Sequence, residues 1–532
     1  MNSHMIKSIN IIAPHEKSIR AFSKSWNNNF LLLRNYINDD YQIDCSIDQN
    51  IVEPFSRDWS NLPGHADILF RPKNEKECAV IIKLCNICSI PLTISAGKTN
   101  LTGSATPNGG AVLSTSLLTS PEIKVDINLK EVLSPVGIPL ETLRLEILKQ
   151  SNRELYYPVD PTSRHDAYVG GTLLCNASGF MPGEKGATRF WVKEIDILLP
   201  NGNYIKVKRG QHYSVNGIFH IQNKSNIIKI EVPKYERPKL KNASGPYSCY
   251  DEEIDLVDFF IGSEGIYGMI TCCKLGLSDM PDEHLELFIC LSSESKAIEF
   301  HDYLFNLFCG DMSRLTALEY FGFNSQTYMK HKDFLFKQET DVGIYLQVPI
   351  FNDTIENISL TWIDIFNDFD NNIDIDDIIV LNDPLNWKIF FEARHSIPDN
   401  ALTKSKQLGG ISIITDTIVP PENLSKYLKR VHNKLQSNNI EYLLFGHLGD
   451  CHLHFHLIPN EKQDDKCLEI YDYLVDLSAN LGGVYSAEHG TGKRKRNDFK
   501  KCYGDMAVDM VKKAKLALDP NLILNRGNVF KV

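Results

Sequence analysis

The chain has 532 residues, with 56 basic and 67 acidic side chains and a formal net charge of −11. This length predicts about two to four domains with substantial cores. The acidic balance and the lack of a long Lys/Arg tract exclude nucleic acid as a partner, because binding to a phosphate backbone needs a concentrated basic face.

Apolar runs and cysteine spacing predict the cellular setting. No run approaches the roughly eighteen apolar residues of a membrane span, so we expect no transmembrane segment. The 13 cysteines have no repeating spacing, which indicates free thiols in a reducing compartment rather than a disulfide framework. We therefore expect a cytoplasmic protein, and we leave attachment to the membrane surface open.

In chain order, the apolar pattern divides the sequence into four parts. Residues 1–55 are predicted as a helical lead-in, and residues 56–283 alternate short strands, helices and glycine-rich turns. A second domain is predicted over 284–480, and residues 481–532 form a helix and a turn-rich tail. The individual predictions are a helix over 79–88, a strand over 91–95, an exposed insertion over 222–247, strands over 342–349 and 411–420, and a helix over 421–436.

The strongest chemical signal is GHLGDCHLHFHL at residues 446–457, followed by SAEHGTGK at 486–493. Neutral imidazole and carboxylate are ligands of Zn²⁺ and similar divalent ions. His447, His454 and Glu488 are therefore candidate metal ligands.

The neighbouring residues leave several interpretations open. His489 is a candidate base, because the pKa of histidine lies near neutral pH. A strand would instead place His452, His454 and His456 on one face, where histidines are often hydrogen-bonded surface groups. The basic run KRKR at 493–496 is either a solvated turn or a patch that attracts an anionic substrate or acceptor.

A glycine-rich loop is a candidate phosphate cradle. SAGKTNLTG at residues 95–103 could hold a pyrophosphate between Gly97 and Gly103, with Lys98 adding a positive charge. The loop matches neither the G-x-G-x-x-G dinucleotide fingerprint nor a Walker loop. An ordinary turn therefore remains an alternative for this loop on its own.

Six motifs in a fixed order carry a resemblance to a known family. They are SAGKTNLTG (95–103), PVDPTSRHDAYVGGTLLCNASG (158–179), GSEGIYGMIT (262–271), GHLGDCHLH (446–454), SAEHGTGK (486–493) and DPNLILNRG (519–527). Together they resemble the FAD-linked oxidase family of the vanillyl-alcohol oxidase superfamily, in the branch of the D-2-hydroxyacid and D-lactate dehydrogenases.

The resemblance covers about residues 55–532 and implies an α+β fold. The FAD-binding domain, at residues 56–283, would consist of two subdomains. A cap domain with a large antiparallel sheet would form the substrate side at 284–480, and residues 481–532 would return to the FAD-binding domain.

The resemblance also implies which residues bind FAD. The cofactor is expected to be noncovalent, because Lys98 stands where some relatives attach flavin through histidine. Lys98 would compensate for the altered first loop only if its side chain turns towards phosphate. The implied contacts are Ala96, Gly97, Lys98, Thr99, Asn100, Leu101, Gly103, Pro158, Asp160, Thr162, Gly170, Gly171, Asn176, Gly179, Glu264, Gly265, Ile270 and Asn525.

In the same family, the metal ligands fall on His447, His454 and Glu488, and the base falls on His489. The resemblance thus implies a divalent metal, Zn²⁺ with Mn or Fe as alternatives. Arg394 matches the arginine that clamps the substrate carboxylate, a task suited to its planar fork.

Three residues of the histidine segment depart from the family pattern. Cys451 replaces a glycine, and His452 and His456 replace two asparagines, of which the second contacts substrate in relatives. His456 is therefore a candidate substrate-binding residue. The extra imidazoles could add a metal ligand, bind the substrate carboxylate or fill space.

The implied activity is oxidation of a small D-2-hydroxy acid, D-lactate or a close homologue, to the 2-oxo acid by hydride transfer to flavin N5. Ile414 stands where 2-hydroxyglutarate enzymes have a lysine, so a distal carboxylate is poorly provided for. The alternatives are a D-2-hydroxyglutarate or glycolate dehydrogenase, a flavin subunit of a larger oxidase complex, and an ether-lipid synthase on the same scaffold. The intact set of histidines and glutamate argues against the synthase.

Two partners are left open by the sequence. The electron acceptor, expected not to be NAD, could be a quinone, a cytochrome, an electron-transfer flavoprotein or oxygen. A homodimer is compatible with the sequence, which does not decide the oligomeric state.

Overall fold

The computed structural model describes residues 5–224, 226–370, 373 and 375–532. Its strands are β1 Met5–Lys7, β2 Asp44–Ser46, β3 Ile68–Arg71, β4 Leu92–Ser95, β5 Ala111–Ser114, β6 Lys124–Asp126, β7 Glu131–Pro135, β8 Leu155–Tyr156, β9 Val192–Leu198, β10 Tyr204–Lys208, β11 Ile218–Asn223, β12 Asn226–Glu231, β13 Met269–Gly276, β14 Ser278–Asp279, β15 Glu283–Leu291, β16 Ala317–Phe321, β17 Val342–Ile350, β18 Ile379–Val380, β19 Ile413–Ile414, β20 Glu441–His447 and β21 His452–Ile458.

The helices lie between these strands and after them. The α-helices are α1 Glu16–Ser25, α2 Phe30–Tyr41, α3 Gln49–Val52, α4 Glu75–Cys88, α5 Leu140–Gln150, α6 Val169–Cys175, α7 Thr188–Trp191, α8 Leu256–Phe260, α9 Glu294–Leu307, α10 Lys332–Leu335, α11 Ile355–Phe369, α12 Pro384–Leu408, α13 Leu424–Ser437, α14 Asp464–Asn480 and α15 Arg496–Leu518. Short 3-10 helices lie at Ala13–His15, Glu53–Phe55, Glu184–Gly186, Met312–Arg314, Phe323–Tyr328, Ile375–Asp377, Pro421–Asn423, Leu448–Asp450 and Glu461–Gln463. Over the described residues, none of the helices is long and apolar enough to cross a membrane.

The first layer is a four-stranded sheet in the order β2-β3-β5-β4. Strands β3, β5 and β4 are parallel, and β2 joins β3 antiparallel, which ties the amino-terminal segment to this sheet. The predicted helix over 79–88 and strand over 91–95 are confirmed as α4 and β4. Helix α4 begins earlier than predicted because the side chain of Asn74 caps it by accepting from the Glu77 amide at 3.0 Å.

The second layer is a five-stranded antiparallel sheet in the order β10-β9-β13-β7-β6. Strand β9 alternates buried and more exposed positions, with Ile195 and Ile197 fully buried. Both layers share one hydrophobic core with α4, α5 and the end of α15. This shared core fixes the loops that leave the two sheets relative to one another.

A seven-stranded antiparallel sheet, β18-β15-β17-β16-β20-β21-β19, forms the cap. The predicted strand over 342–349 is confirmed as β17, and the predicted helix over 421–436 is confirmed as a 3-10 turn followed by α13. The predicted strand over 411–420 is wrong for most of its length, since only β19 pairs with β21. The residues after β19 include two buried polar side chains: the Thr415 hydroxyl accepts from the Phe455 amide of β21, and the Asp416 carboxylate accepts from the Ser486 hydroxyl.

The prediction of an exposed insertion over 222–247 holds only in part: most residues of β12 are exposed, but the segment is also packed against the rest of the molecule. Part of this segment forms the β11–β12 hairpin, which pairs with β1 in a three-stranded sheet. Further along, the side chains of Val232 and Tyr235 are buried, and the Tyr235 ring lies 5.5 Å from the Phe499 ring of α15. The composition rich in Lys, Asn and Pro suggested solvent, but tertiary packing places the segment against the carboxy-terminal helix.

The carboxy-terminal segment returns to the first sheet. The amide of Leu92 donates to the carbonyl of Ile523, and the amide of Asn525 donates to the carbonyl of Leu92. The amides of Lys493 and Arg494 donate to the carbonyl of Thr102. These bonds carry the SAEHGTGK loop to the glycine-rich loop after β4.

Candidate active site

A long cleft opens at the carboxyl ends of β4 and β5, and its walls include α6 and the SAEHGTGK loop. It contains about 1410 Å³ of space, open mouth included. The predicted cofactor-binding residues that line it are Ala96, Gly97, Lys98, Thr99, Asn100, Leu101, Asp160, Thr162, Gly170, Gly171, Gly179, Glu264, Ile270 and Asn525.

Four predicted cofactor-binding residues lie outside this lining: Gly103, Pro158, Asn176 and Gly265. Two of them shape the walls. The side-chain oxygen of Asn176 accepts from the Arg189 amide at 2.9 Å, and Gly265, at φ +70°, leaves room for the side chain of Asn525.

In the described part of the chain, two glycines and two unpaired hydroxyls of the cleft fit a role in binding FAD. A Cβ added to Gly97 would lie 1.9 Å from the Asp166 carbonyl oxygen, so the loop needs glycine to pass its neighbour. A Cβ added to Gly171 would meet only the Ala96 side chain, at 3.4 Å, so space remains beside this helix start. The buried hydroxyls of Thr115 and Ser178 line the cleft and have no hydrogen-bond partner among the described residues.

The ammonium group of Lys98 does not face the candidate phosphate site. Its Nζ donates to the Pro54 carbonyl at 2.8 Å and lies 4.5 Å from the centre of the Phe55 ring. The condition under which Lys98 would compensate for the altered loop is therefore not met. Cys175 also lines the cleft, but burial raises the pKa of its thiol to about 12, so it is not a ready nucleophile for flavin attachment.

Glu264 and Asn525 tie the walls of the cleft together. The Glu264 carboxylate accepts from the amides of Thr491 and Gly492 at 2.6 and 2.7 Å and from the Ser104 hydroxyl at 2.7 Å. The Asn525 side chain accepts from the Ile94 amide and donates to the Glu264 carbonyl, both at 2.8 Å. The tail motif thus holds the SAEHGTGK loop against the first loop.

The candidate metal ligands meet at one end of the cleft. Antiparallel pairing of β20 with β21 sets His447 opposite His452, and His454 follows on the same strand face. The Nε2 atoms of His447 and His454 each lie 3.6 Å from an oxygen of Glu488. The ligand atoms of His447, His452, His454 and Glu488 all lie within 4.8 Å of one another. The structure therefore brings the predicted set together.

Second contacts orient both imidazoles for metal binding. His454 Nδ1 lies 2.9 Å from the Thr415 carbonyl, and His447 Nδ1 lies 2.6 Å from Glu319 Oε1. Each acceptor favours a proton on Nδ1, so Nε2 is the ring nitrogen that faces Glu488 in both residues. This donor set of imidazole and carboxylate fits Zn²⁺ or a similar divalent ion.

Glu319, on β16, is a site residue that the sequence analysis missed. It is 4% exposed, and its second oxygen lies 3.4 Å from Arg394 Nη2. Burial opposes its ionisation, but His447 and Arg394 outweigh burial and lower its pKa to about 2. Burial also opposes protonation of His447, but Glu319 raises the pKa of that imidazole to about 9. A carboxylate inside the apolar run ALEYF was the only signal of this role.

Asp416 organises the loop that carries the candidate base. Its carboxylate accepts from the Ser486 hydroxyl at 2.5 Å, from the His489 amide at 3.0 Å and from Lys495 Nζ at 2.8 Å. It also accepts from the Glu488 amide at 3.2 Å. Burial opposes ionisation of Asp416, but His489 and Lys495 outweigh burial and hold its pKa well below the usual range.

His489 lines the cleft beside the ligand cluster. Its ring stacks on the His454 ring at 5.7 Å and 7°, and its Nδ1 lies 3.6 Å from Asp416 Oδ2. Burial lowers the pKa of His489 to about 4, although Asp416 opposes the shift. The imidazole is therefore neutral at physiological pH and has a nitrogen that can accept a proton, but a pKa this low makes it a weaker base than the near-neutral pKa expected from the sequence would give.

A buried lysine was also missed. Lys241, from the insertion, lies 3.3 Å from Glu488 Oε2 and 3.4 Å from Asp450 Oδ2, and its side chain is 2% exposed. It also donates to the Gly179 carbonyl at 3.3 Å. Lys241 thus joins the insertion, the cap and the cleft wall at the ligand cluster.

Of the predicted substrate-binding residues Arg394, His456 and His489, only His489 lines the cleft. Arg394, on α12, lies over the ring of Phe180 at 4.6 Å, and Phe180 lines the cleft. His456 is 3% exposed and bonds through Nε2 to the Ser412 hydroxyl. Among the described residues, His456 Nδ1 has no hydrogen-bond partner.

The solvated-turn interpretation of KRKR at 493–496 holds only in part. Lys493 and Arg494 lie in a turn and Arg494 is exposed, although it donates to the Ser60 carbonyl. Lys495 is buried against Asp416, and Lys493 Nζ donates to the side chain of Asn528 at 2.7 Å. These bonds hold the loop in place.

Comparisons with known proteins agree with this architecture. Residues 66–208 match the FAD binding domain family, and residues 365–529 match the C-terminal domain of FAD linked oxidases. A D-lactate dehydrogenase of Anaerostipes hadrus is 25% identical over 498 residues, covering 91% of this chain and 94% of that protein. A D-2-hydroxyglutarate dehydrogenase of Stutzerimonas stutzeri is 23% identical over 494 residues, covering 91% of this chain and 95% of that protein.

Among solved structures, p-cresol methylhydroxylase with substrate bound matches with a TM-score of 0.69 and 14% identity, covering 98% of this chain and 99% of that one. That likeness concerns the fold, which is the predicted α+β arrangement of FAD-binding and cap domains. The chain therefore carries both domains of the FAD-linked oxidases and is an FAD-dependent enzyme similar to the D-2-hydroxyacid dehydrogenases.

Proposed function

We propose that this enzyme oxidises a small D-2-hydroxy acid, D-lactate, to the 2-oxo acid with noncovalent FAD and one divalent metal ion, and passes the electrons to an acceptor other than NAD. The observation that carries the proposal is that His447, His454 and Glu488 lie together beside a neutral His489 at the cleft proposed to bind FAD.

Each residue of the proposed site has a separate role in the reaction. His489 removes the hydroxyl proton of the substrate, since it is neutral and lines the cleft. Arg394 binds the substrate carboxylate. Glu319 holds Arg394 through Oε2 and His447 through Oε1. Bound at His447, His454 and Glu488, a divalent ion supplies Lewis acidity that lowers the pKa of the hydroxyl. Bound along the glycine-rich loops, FAD supplies the hydride acceptor.

Substrate size follows from the residues around the ligand cluster. Ile414, which pairs with His456 across β19 and β21, occupies the position of the lysine that binds a distal carboxylate in the 2-hydroxyglutarate enzymes. Ile414 is 44% exposed and does not line the cleft, so it opposes a distal carboxylate only by offering no cation to pair with it. This argument favours D-lactate over D-2-hydroxyglutarate, the substrate named for the relative from Stutzerimonas stutzeri.

Turnover with an artificial electron acceptor tests the proposal. The FAD-containing enzyme is stripped of metal with a chelator, assayed with D-lactate and then reloaded with Zn²⁺, Mn²⁺ or Fe²⁺. We expect activity to fall on stripping and to return with at least one ion. Full activity in protein shown to be free of metal would contradict the metal part, and no activity with D-lactate under any loading would contradict the substrate.

A further inference from the structure

His452 lies inside the ligand cluster, although the family pattern places asparagine there. It is fully buried, at 0% exposure. Its ring centroid lies 4.5 Å from that of His454 and 5.5 Å from that of His447. Its ligand atom belongs to the same 4.8 Å group as those of His447, His454 and Glu488.

Both ring nitrogens of His452 are buried and have no hydrogen-bond partner among the described residues. Nε2 lies 3.1 Å from Asp416 Oδ1, a charge contact that leaves Nδ1 as the nitrogen available to a ligand. A buried acceptor left unpaired costs about 1–3 kcal/mol. A carboxylate on one nitrogen and a metal on the other is the arrangement found for metal-binding histidines.

His456 provides an internal comparison. It lies on the same face of β21, four residues after His452, and is also buried, at 3% exposure. Its Nε2 already bonds to Ser412, and it lies outside the ligand group. Burial on this strand face therefore does not by itself place an imidazole in the cluster.

We propose that His452 is a fourth protein ligand of the metal, which gives a set of three imidazoles and one carboxylate. The inference rests on the metal site of the proposed function and deepens it. A set dominated by nitrogen favours Zn²⁺, Co²⁺ or Fe²⁺ over Mg²⁺ and Ca²⁺, which prefer oxygen ligands. The chain would then differ in its metal preference from relatives that carry asparagine at this position.

Zn²⁺ affinity of the metal-stripped, FAD-containing protein tests the proposal by equilibrium dialysis in a chelator buffer. The variants are His452→Asn, the matched control His456→Asn, and His447→Ala. Loss of an outer contact of a metal ligand typically costs 10–100-fold in affinity. We expect His452→Asn to weaken binding by more than about 100-fold and His456→Asn to leave affinity close to that of the wild type. A loss of about 10–100-fold or less for His452→Asn would overturn the proposal.

Two controls separate this inference from the proposed function. If His447→Ala abolishes binding while His452→Asn does not, the fourth ligand fails and the metal site stands. If the wild type binds no Zn²⁺, the metal part of the proposed function fails as well. Visible absorption of bound Co²⁺, read beyond the flavin band, should change between wild type and His452→Asn but not His456→Asn. Flavin absorbance and circular dichroism establish that each variant is folded.

Discussion

Replacing Asp416 with asparagine should loosen the loop that carries Glu488 and His489. The substitution keeps the size of the side chain but removes the counter-ion of Lys495, which lies 2.8 Å away. Both side chains are enclosed, at 0% exposure for Asp416 and 6% for Lys495. Asp416→Asn therefore leaves a buried ammonium without its partner.

The expected magnitude follows from that burial. Removing one member of a buried ion pair costs about 3–5 kcal/mol. Lys495→Met should cost less, about 1.5–3 kcal/mol, because Asp416 keeps its donors from Ser486, Glu488 and His489. The double variant buries no unpaired charge, so its loss should be smaller than the sum of the single losses by about 2 kcal/mol.

Amide hydrogen exchange over residues 484–496, read by mass spectrometry, measures the opening of this loop without requiring two-state unfolding of the whole chain. In Asp416→Asn, exchange of the Glu488 and His489 amides should accelerate by at least about 100-fold, since each 1.4 kcal/mol is a factor of ten. Additive effects within about 0.5 kcal/mol across the double-variant cycle would refute the account of a coupled pair.

Further predictions concern the cofactor, the metal, stability and substrate choice. Gly171→Ala should lower FAD content with little effect on folding, as measured by flavin absorbance and circular dichroism, because the added Cβ meets only Ala96, at 3.4 Å; unchanged flavin content would contradict the cradle. His454→Ala should reduce turnover far more than FAD content, and parallel losses would argue against a separate metal site. Burial lowers the pKa of Lys493 from 10.5 to about 8, so the unfolded chain binds more protons between these values and stability should rise with pH there. Relative to Lys493→Met, the free energy of unfolding should rise by a total on the order of 3 kcal/mol across this range. Thermal unfolding of both proteins from about pH 7.5 to 9.5 checks this, and identical pH profiles would count against it. D-lactate should have a higher kcat/KM than D-2-hydroxyglutarate, and the reverse order would remove the argument from Ile414.

The parts of the site that the sequence predicts are those carried by local motifs. The histidines of β20 and β21 and the pair Glu488 and His489 could be expected to meet, because their residue types are rare together and occur in short segments. The glycine-rich loop after β4 could be placed in the same way, since glycine allows the close backbone approach seen at Gly97.

The residues that orient these groups could not be placed from the sequence. Glu319, Lys241 and Asp416 reach the ligand cluster from a cap strand, an insertion and a loop that are far apart in the chain. No local period marks such residues, because only the tertiary fold brings their charges together. The same cause explains the burial of Lys241 in the insertion and of Lys495 in KRKR, where a polar composition indicated solvent but ion pairs enclose these two side chains.

The most direct test of the central claim is anaerobic bleaching of the bound flavin. The purified, metal-loaded protein is mixed with D-lactate, L-lactate or D-2-hydroxyglutarate in the absence of any acceptor, and oxidised flavin is followed by its absorbance. The account predicts rapid and complete bleaching by D-lactate, slow or no bleaching by L-lactate, and a weaker response to D-2-hydroxyglutarate. An unbleached flavin with D-lactate, or faster bleaching with D-2-hydroxyglutarate, would contradict it.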